Sequence, residues 1–228
     1  SYLLLIHNQA RLMDILFFFI FRSVSILKST SSYYLVSCPK SSTQTVFNLC
    51  FYDNGQYIPT TYGEELGRGY SVVLRIDGTE QKVTSENYLV NNIQIKTLML
   101  DMDGEVGMQH IIKNSGTKKR TIDLAVHADT LILQNDKCPV SVLPNNKGLR
   151  FSEAQYSVYL LFCKAHEGHP PVDTLWVGYY NYREDNLWYN STIKTYSGDS
   201  GIAYSFQNYV LNPGEKINFT VAYTTNPN

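Results

Sequence analysis

Asp101-Met-Asp-Gly-Glu-Val-Gly-Met-Gln-His-Ile-Ile-Lys-Asn-Ser-Gly-Thr-Lys-Lys-Arg-Thr-Ile-Asp-Leu-Ala-Val-His-Ala-Asp-Thr-Leu-Ile-Leu-Gln-Asn-Asp136 is the stretch around which the rest of the chain is organised. Ile122, Leu124, Val126 and Ala128 alternate with Thr121, Asp123, Ala125 and His127, the period of two that a half-buried strand requires. The segment before it answers in kind. Val106, Met108, His110 and Ile112 share one face, Glu105, Gln109 and Ile111 the other, and Gly107 thins the middle. Between them, Asn114-Ser-Gly tolerates left-handed backbone, and Lys118, Lys119 and Arg120 keep the tip solvated. The pattern predicts a β-hairpin. Asp103-Gly104 is a second tight-turn signal that joins 98–102 to Glu105, so three consecutive antiparallel strands are expected.

Outward from this stretch the same grammar repeats. Strands are predicted over 46–52, ended by Asp53-Asn-Gly, then over 56–61, and over 70–76, turning at Asp77-Gly78 into 80–84. Residues 137–155, with Pro139, Pro144, Asn145-Asn146 and Gly148, read as an irregular excursion. A strand resumes over 156–163, residues 175–182 and 187–193 form the densest aromatic region, and 203–211 follows. Past the turn at Asn212-Pro-Gly214, Ile217, Phe219, Val221 and Tyr223 alternate cleanly. No segment carries a convincing 3.6-residue period. Short strands at this spacing specify an all-β chain, an antiparallel two-sheet sandwich or supersandwich, and without a linker or repeat residues 33–228 form one domain.

The chain of 228 residues has 18 Tyr among 13% aromatic residues and a net charge of only -1, with no basic stripe, which argues against nucleic acid as a partner. Residues 1–32 differ in kind. The apolar run over 12–21 has the length of a signal-peptide core, Met13 is a candidate initiator, and the small polar residues near 29–32 suit cleavage. Asp14 and Arg22 depart from that pattern, and a buried segment is the competing reading. Four cysteines without Cys-x-x-Cys spacing, Cys38, Cys50, Cys138 and Cys163, suggest two disulfides, with Cys38–Cys50 and Cys138–Cys163 favoured because each closes a short loop. Asn190-Ser-Thr and Asn218-Phe-Thr are glycosylation acceptor sequences. Together these features predict a secreted or cell-surface glycoprotein with no membrane span in the mature domain.

Five groups of residues come into question for chemistry. Asp123, His127 and Asp129 stand in one strand row, where a carboxylate, an imidazole and a carboxylate would polarise a substrate; a solvated face with one ion-paired histidine has the same pattern. Asp101 and Asp136 are the acids that would complete such a site. His166-Glu-Gly-His169 lacks the i, i+4 helical spacing of a zinc protease and ends in Pro170-Pro171, so it reads as a loop. Asp101-Met-Asp-Gly-Glu105 lacks the remaining ligands of a calcium loop. Gly63 to Gly69 lacks the strand and helix context of a phosphate-binding loop, so neither a metal nor a cofactor is expected. The last group is aromatic: Trp176, Tyr179, Tyr180, Tyr182, Trp188 and Tyr189, interleaved with Asn181, Arg183, Glu184, Asp185 and Asn186. That composition suits a surface for glycans or extracellular proteins, because aromatic faces stack on sugar rings and short polar groups orient them; cross-strand packing is the competing use.

Two sets of residues carry a family resemblance. Asn114-Ser-Gly with Ile122-Asp-Leu, Ala128-Asp-Thr130 and Asn135-Asp136 resembles the β-supersandwich modules of exported and carbohydrate-active proteins. Trp176-x-Gly178, Asn186-Leu-Trp188, Asp199-Ser-Gly-Ile-Ala-Tyr-Ser205 and Pro213-Gly-Glu215 resemble modules of large surface-protein families of parasitic protists, and the matches together span about residues 94 to 223. The resemblance implies a secreted or displayed β module and transfers no catalytic residues. The leading expectation is therefore a non-enzymatic module that binds glycans or proteins through the Trp176 to Tyr189 region. The alternatives are a carbohydrate-active enzyme of mutarotase or epimerase type, using Asp129, His127 and His110, and a purely structural surface-protein module.

Overall fold

The computed structural model describes residues 33–39, 46–62, 69–102, 105–162 and 170–226. The leader over 1–32, the Asp103-Gly104 turn, the stretch 63–68, Cys163 and the His166 to His169 loop lie outside them. In chain order the described strands are β1 (Tyr34–Ser37), β2 (Leu49–Asp53), β3 (Gln56–Pro59), β4 (Ser71–Ile76), β5 (Thr79–Val83), β6 (Asn87–Val90), β7 (Ile93–Met102) and β8 (Glu105–Asn114). They continue as β9 (Arg120–Asp129), β10 (Val140–Val142), β11 (Gly148–Glu153), β12 (Tyr156–Leu161), β13 (Thr174–Tyr179), β14 (Thr195–Tyr196), β15 (Ser200–Leu211) and β16 (Lys216–Thr224).

All pairings are antiparallel, as expected of an all-β sandwich. An eight-stranded sheet runs β14-β10-β11-β12-β16-β8-β7-β6, a five-stranded sheet runs β13-β15-β9-β4-β5, and β1-β2-β3 form a small third sheet. The alternating residues read from the sequence make the core: Met108 and Ile112 of β8 and Phe219, Val221 and Tyr223 of β16 meet Ile122, Leu124 and Val126 of β9 and Tyr204 and Phe206 of β15. Each apolar side chain buried there contributes about 1.5–3 kcal/mol. The small sheet adds Leu35, Leu49 and Phe51 to the same core. It is pinned by Tyr156, which donates to Asp53 at 2.7 Å.

The predicted hairpin over 105–129 is not one. β8 pairs with β7 and β16 in one sheet, and β9 pairs with β15 and β4 in the other, so the chain crosses between sheets at 115–119. The turn chemistry is present; what differs is that β8 and β9 face each other through side chains rather than backbone bonds. Fully buried Asn114 makes the crossing possible. Its side-chain amide donates to the carbonyls of Lys118 at 2.8 Å and Leu211 at 3.0 Å, and its Oδ1 accepts from the Gly116 N–H. The second crossing, from β15 to β16 at Asn212-Pro-Gly214, is bonded to the backbone of the same residue.

Other turns match their signals. Asp77 and Gly78 (φ 49° and 83°) close the β4–β5 hairpin, and Asn54 and Gly55 (φ 47° and 84°) close β2–β3, both with the paired positive φ of a tight hairpin turn. The expected excursion over 137–155 instead contains β10 and β11, with Val140, Leu149 and Phe151 fully buried. The prolines that suggested a loop sit just outside these strands, at Pro139 and Pro144. The aromatic stretch over 187–193 forms no strand. No helix among the described residues is long and apolar enough to cross a membrane.

Cys38 and Cys50 form a disulfide across the β1–β2 edge, 12 residues apart. Cys138 does not form the second expected bridge: it is a buried free thiol, donating to the Thr130 hydroxyl at 3.7 Å, and burial pushes its pKa up to about 11. Replacing both bridged residues, Cys38→Ser with Cys50→Ser, is expected to lower stability by roughly 2–4 kcal/mol through the freed unfolded chain, read from urea denaturation; an unchanged midpoint would show that the small sheet holds without its link.

Candidate functional site

The five-stranded sheet has a second face, turned away from the core. Its strand register sets the residues in rows. Trp176, Ala203, His127 and Ser71 are neighbours across β13, β15, β9 and β4, and the next row is Gly178, Gly201 and Asp129. Asp123, His127 and Asp129 do share this face, as the period of two requires. They are not equivalent, however. Asp123 is held by Arg75 at 2.5 Å and accepts from the Asn208 N–H, which makes it structural.

A roof covers this face. After β13 the chain makes a 3-10 turn over Tyr180–Tyr182 and runs back across the sheet, which explains why no strand forms over 187–193. The sheet is bare where the roof is closest. A Cβ on Gly201 would meet the Tyr180 Cα at 2.9 Å and the Arg183 side chain at 3.3 Å, and one on Gly178 would meet the Trp176 indole at 2.5 Å. Leu187 and Trp188 pack with Trp176 against Val73, Ala125 and Ala203 in a second apolar cluster. The Arg75 guanidinium stacks on the Trp188 ring at 4.0 Å, and the Trp188 N–H donates to Glu80 at 2.6 Å.

These contacts divide the predicted aromatic surface. Trp176 is buried, and Trp188 is a half-buried anchor of the roof, so both belong to the fold. Tyr179, Tyr182 and Tyr189 are exposed, at 37%, 58% and 64%. The Tyr179 ring lies 5.1 Å from Tyr180 and 5.7 Å from Tyr182, and the Asn181 side-chain amide donates to the Tyr179 hydroxyl at 3.1 Å. This trio stands at the strand end where Tyr179 pairs with Ser200 and Gly201 with Asp129.

Polar groups from separate segments converge on the same end. The Ser200 N–H donates to the Asp136 carbonyl at 3.2 Å and the Tyr180 N–H to the Asp199 carbonyl at 3.0 Å. Burial, and then repulsion from Asp136, raises the Asp199 pKa, while Lys137 and Arg183 pull it down. Arg183 donates to the Tyr180 carbonyl at 2.7 Å, and its Nε is buried without a hydrogen-bond partner. Asp136 is thus placed near the row, as its inclusion required. Arg183 is among the polar residues read between the aromatics; that Asp199 stands beside it becomes visible only once the roof has folded.

The enzyme trio is not assembled. His110 faces the core from β8, bonded to Thr97 at 2.9 Å and beside the Phe47 ring, whereas His127 and Asp129 lie on the opposite side of β9. Burial depresses both histidines to about 3, with Arg183 and Lys82 adding to the effect at His127, so both imidazoles are neutral near pH 7. Among the described residues no group of three or more His, Cys, Asp or Glu is arranged to hold a metal ion. Of the two acceptor asparagines, Asn190 is exposed and its Oδ1 accepts from the Leu175 N–H at 3.0 Å, while Asn218 is half-buried on the outer face of the eight-stranded sheet.

No family model matches the chain, and no curated protein matches it. A solved bacterial polysaccharide lyase is similar in fold, with a TM-score of 0.57 and 10% identity over 86% of this chain. The match covers 33% of the lyase, so the chain spans about a third of its length.

Two outcomes follow from the geometry. Trp176→Ala is expected to cost about 3–5 kcal/mol in urea denaturation, as other large buried aromatics do, whereas Tyr182→Ala stays within about 0.5 kcal/mol. Both histidine pKa values are depressed from 6.5 to about 3, so the stability they contribute is complete above about pH 6.5 and is lost as pH falls toward about 3. Melting temperatures measured across that window should fall less steeply in the His110→Gln, His127→Gln double variant than in the natural chain.

Proposed function

We propose that the chain is an extracellular β-sandwich module that engages carbohydrate at the Tyr179–Tyr182 end of the five-stranded sheet. The observation that carries this reading is the pair of exposed rings Tyr179 and Tyr182, packed with half-buried Tyr180 at a 3-10 turn and flanked by Asn181, Arg183 and Asp199. Rings held rigidly with one face in water present the apolar surface that a pyranose ring stacks on, and fixed polar neighbours supply orientation at little entropic cost. The fold likeness to a polysaccharide lyase supports the ligand class, and the Cys38–Cys50 disulfide supports an oxidising compartment.

One observation favours a second reading, that the module is part of a carbohydrate-active enzyme. Asp199 has a raised pKa, an aromatic neighbour in Tyr179 and the Arg183 cation nearby, which are the surroundings of a carboxyl group that exchanges protons with a bound substrate. In that reading Asp199 replaces His110 as the candidate acid or base.

Glycan-array binding by the full chain decides between them. Tyr179→Ala with Tyr182→Ala should remove the array signal for the glycans held at this site while melting is unchanged; a signal unchanged for every glycan would overturn the site. Turnover of any bound glycan that is lost in Asp199→Asn with binding retained identifies the enzyme, and binding without turnover leaves the binding module.

A further inference from the structure

The small sheet carries a second aromatic array that its role in the core does not use. Tyr34, Tyr52 and Tyr57 are direct cross-strand partners, one from each of β1, β2 and β3. Their ring centroids are 5.5 Å and 5.1 Å apart, so the three rings form an unbroken ladder across the whole width of the sheet. Tyr34 is 54% exposed and Tyr57 42% exposed. The next row on the same face is Val36, Cys50 and Pro59, whereas the alternate residues Leu35 and Phe51 point into the core.

Among the described residues of the three strands, none on this face carries a formal charge. The single acid among the three strands, Asp53, is buried and accepts from Tyr156. Cross-strand aromatic pairs contribute roughly 0.2–1 kcal/mol each. The core-facing side chains and the disulfide already anchor the sheet, while Tyr34 and Tyr57 stay exposed on either side of half-buried Tyr52. A contiguous apolar strip rimmed by hydroxyls on a near-neutral chain is the mark of an interaction surface.

We infer that the Tyr34–Tyr52–Tyr57 ladder is a second carbohydrate-binding surface, on which a neutral polysaccharide chain lies across the strands. Its successive sugar rings stack on successive tyrosines, whose hydroxyls bond to the sugar hydroxyls. The absence of charge selects an uncharged polymer, and the row of three rings selects a chain rather than a single sugar. The choice of carbohydrate rests on the reading of the Tyr179 site. The ladder itself is on another sheet and shares no residue with that site.

The test uses the full chain in affinity electrophoresis against hydroxyethylcellulose, mixed-linkage β-glucan and galactomannan, with pull-down on cellulose and chitin. Three proteins are compared: the natural chain, Tyr34→Ala with Tyr57→Ala, and Tyr179→Ala with Tyr182→Ala. The ladder variant is expected to bind at least one of these polymers about tenfold more weakly, with unchanged melting and with no dependence on added salt. Should the double variant not fold, Tyr34→Ala alone, at the sheet edge, carries the same expectation. Unchanged retention of the ladder variant, or no retention of the natural chain on any of these polymers, overturns the inference. Loss confined to the Tyr179, Tyr182 variant overturns it while upholding the first site. Self-association of the natural chain that the ladder variant abolishes, seen by light scattering, gives the face to a second copy of the chain and also overturns it.

Discussion

One side chain holds the two sheets in their relation. Asn114 sits fully buried where the chain crosses from β8 to β9, and its carboxamide also reaches the end of β15, where the chain crosses back to β16. Each crossing turns a backbone carbonyl toward Asn114, and a buried unpaired carbonyl is costly. Asn114 satisfies Lys118 in one crossing and Leu211 in the other, and its own backbone bonds to Gly214 and Glu215. The crossings are therefore one structure. β8 pairs with β16 in one sheet while β9 pairs with β15 in the other, and the core forms between them. The candidate carbohydrate site lies at the far end of the same two strands, where Asp129 meets Gly201.

Much of this was legible wherever the determining interactions are local. The positive-φ pairs Asn54-Gly55 and Asp77-Gly78 are read directly from residue type, and the inward face of β16 from its alternation. The 105–129 stretch was read correctly strand by strand and wrongly as a pair. Alternation reports which side chains are buried, but not whether the next strand buries them by pairing alongside or by facing across. The difference lies in Leu211 and Gly214, about a hundred residues away, which the turn sequence does not contain. Residues 137–155 were misread for a related reason: their turn residues outnumber the short strands they separate.

The site was legible in outline only. Sequence places Tyr179, Tyr182 and Trp176 in one aromatic region; it does not say that the outer sheet face is roofed. The signs were nevertheless present in the small residues Ala125, Ala203, Gly178 and Gly201. They are scattered across three strands and become neighbours only in register. Small side chains on a strand face leave room for another layer, and that layer turns Trp176 and Trp188 from surface into interior. What remains in water is the tyrosines, whose placement the roof fixes.

The roof also finishes a sheet edge. β13 is the outermost strand of its sheet, and an open edge offers unpaired N–H and C=O groups to any other chain. Here the Asn190 side chain takes the Leu175 N–H, and Ser191 bonds to the carbonyls of Leu175 and Val177. Two residues of the glycan acceptor triplet thus double as a blunting device against aggregation. Replacing Asn190 would open the edge, so loss of solubility in such a protein reports on the edge and not on glycosylation. Replacing Thr192 removes the acceptor and leaves the edge sealed.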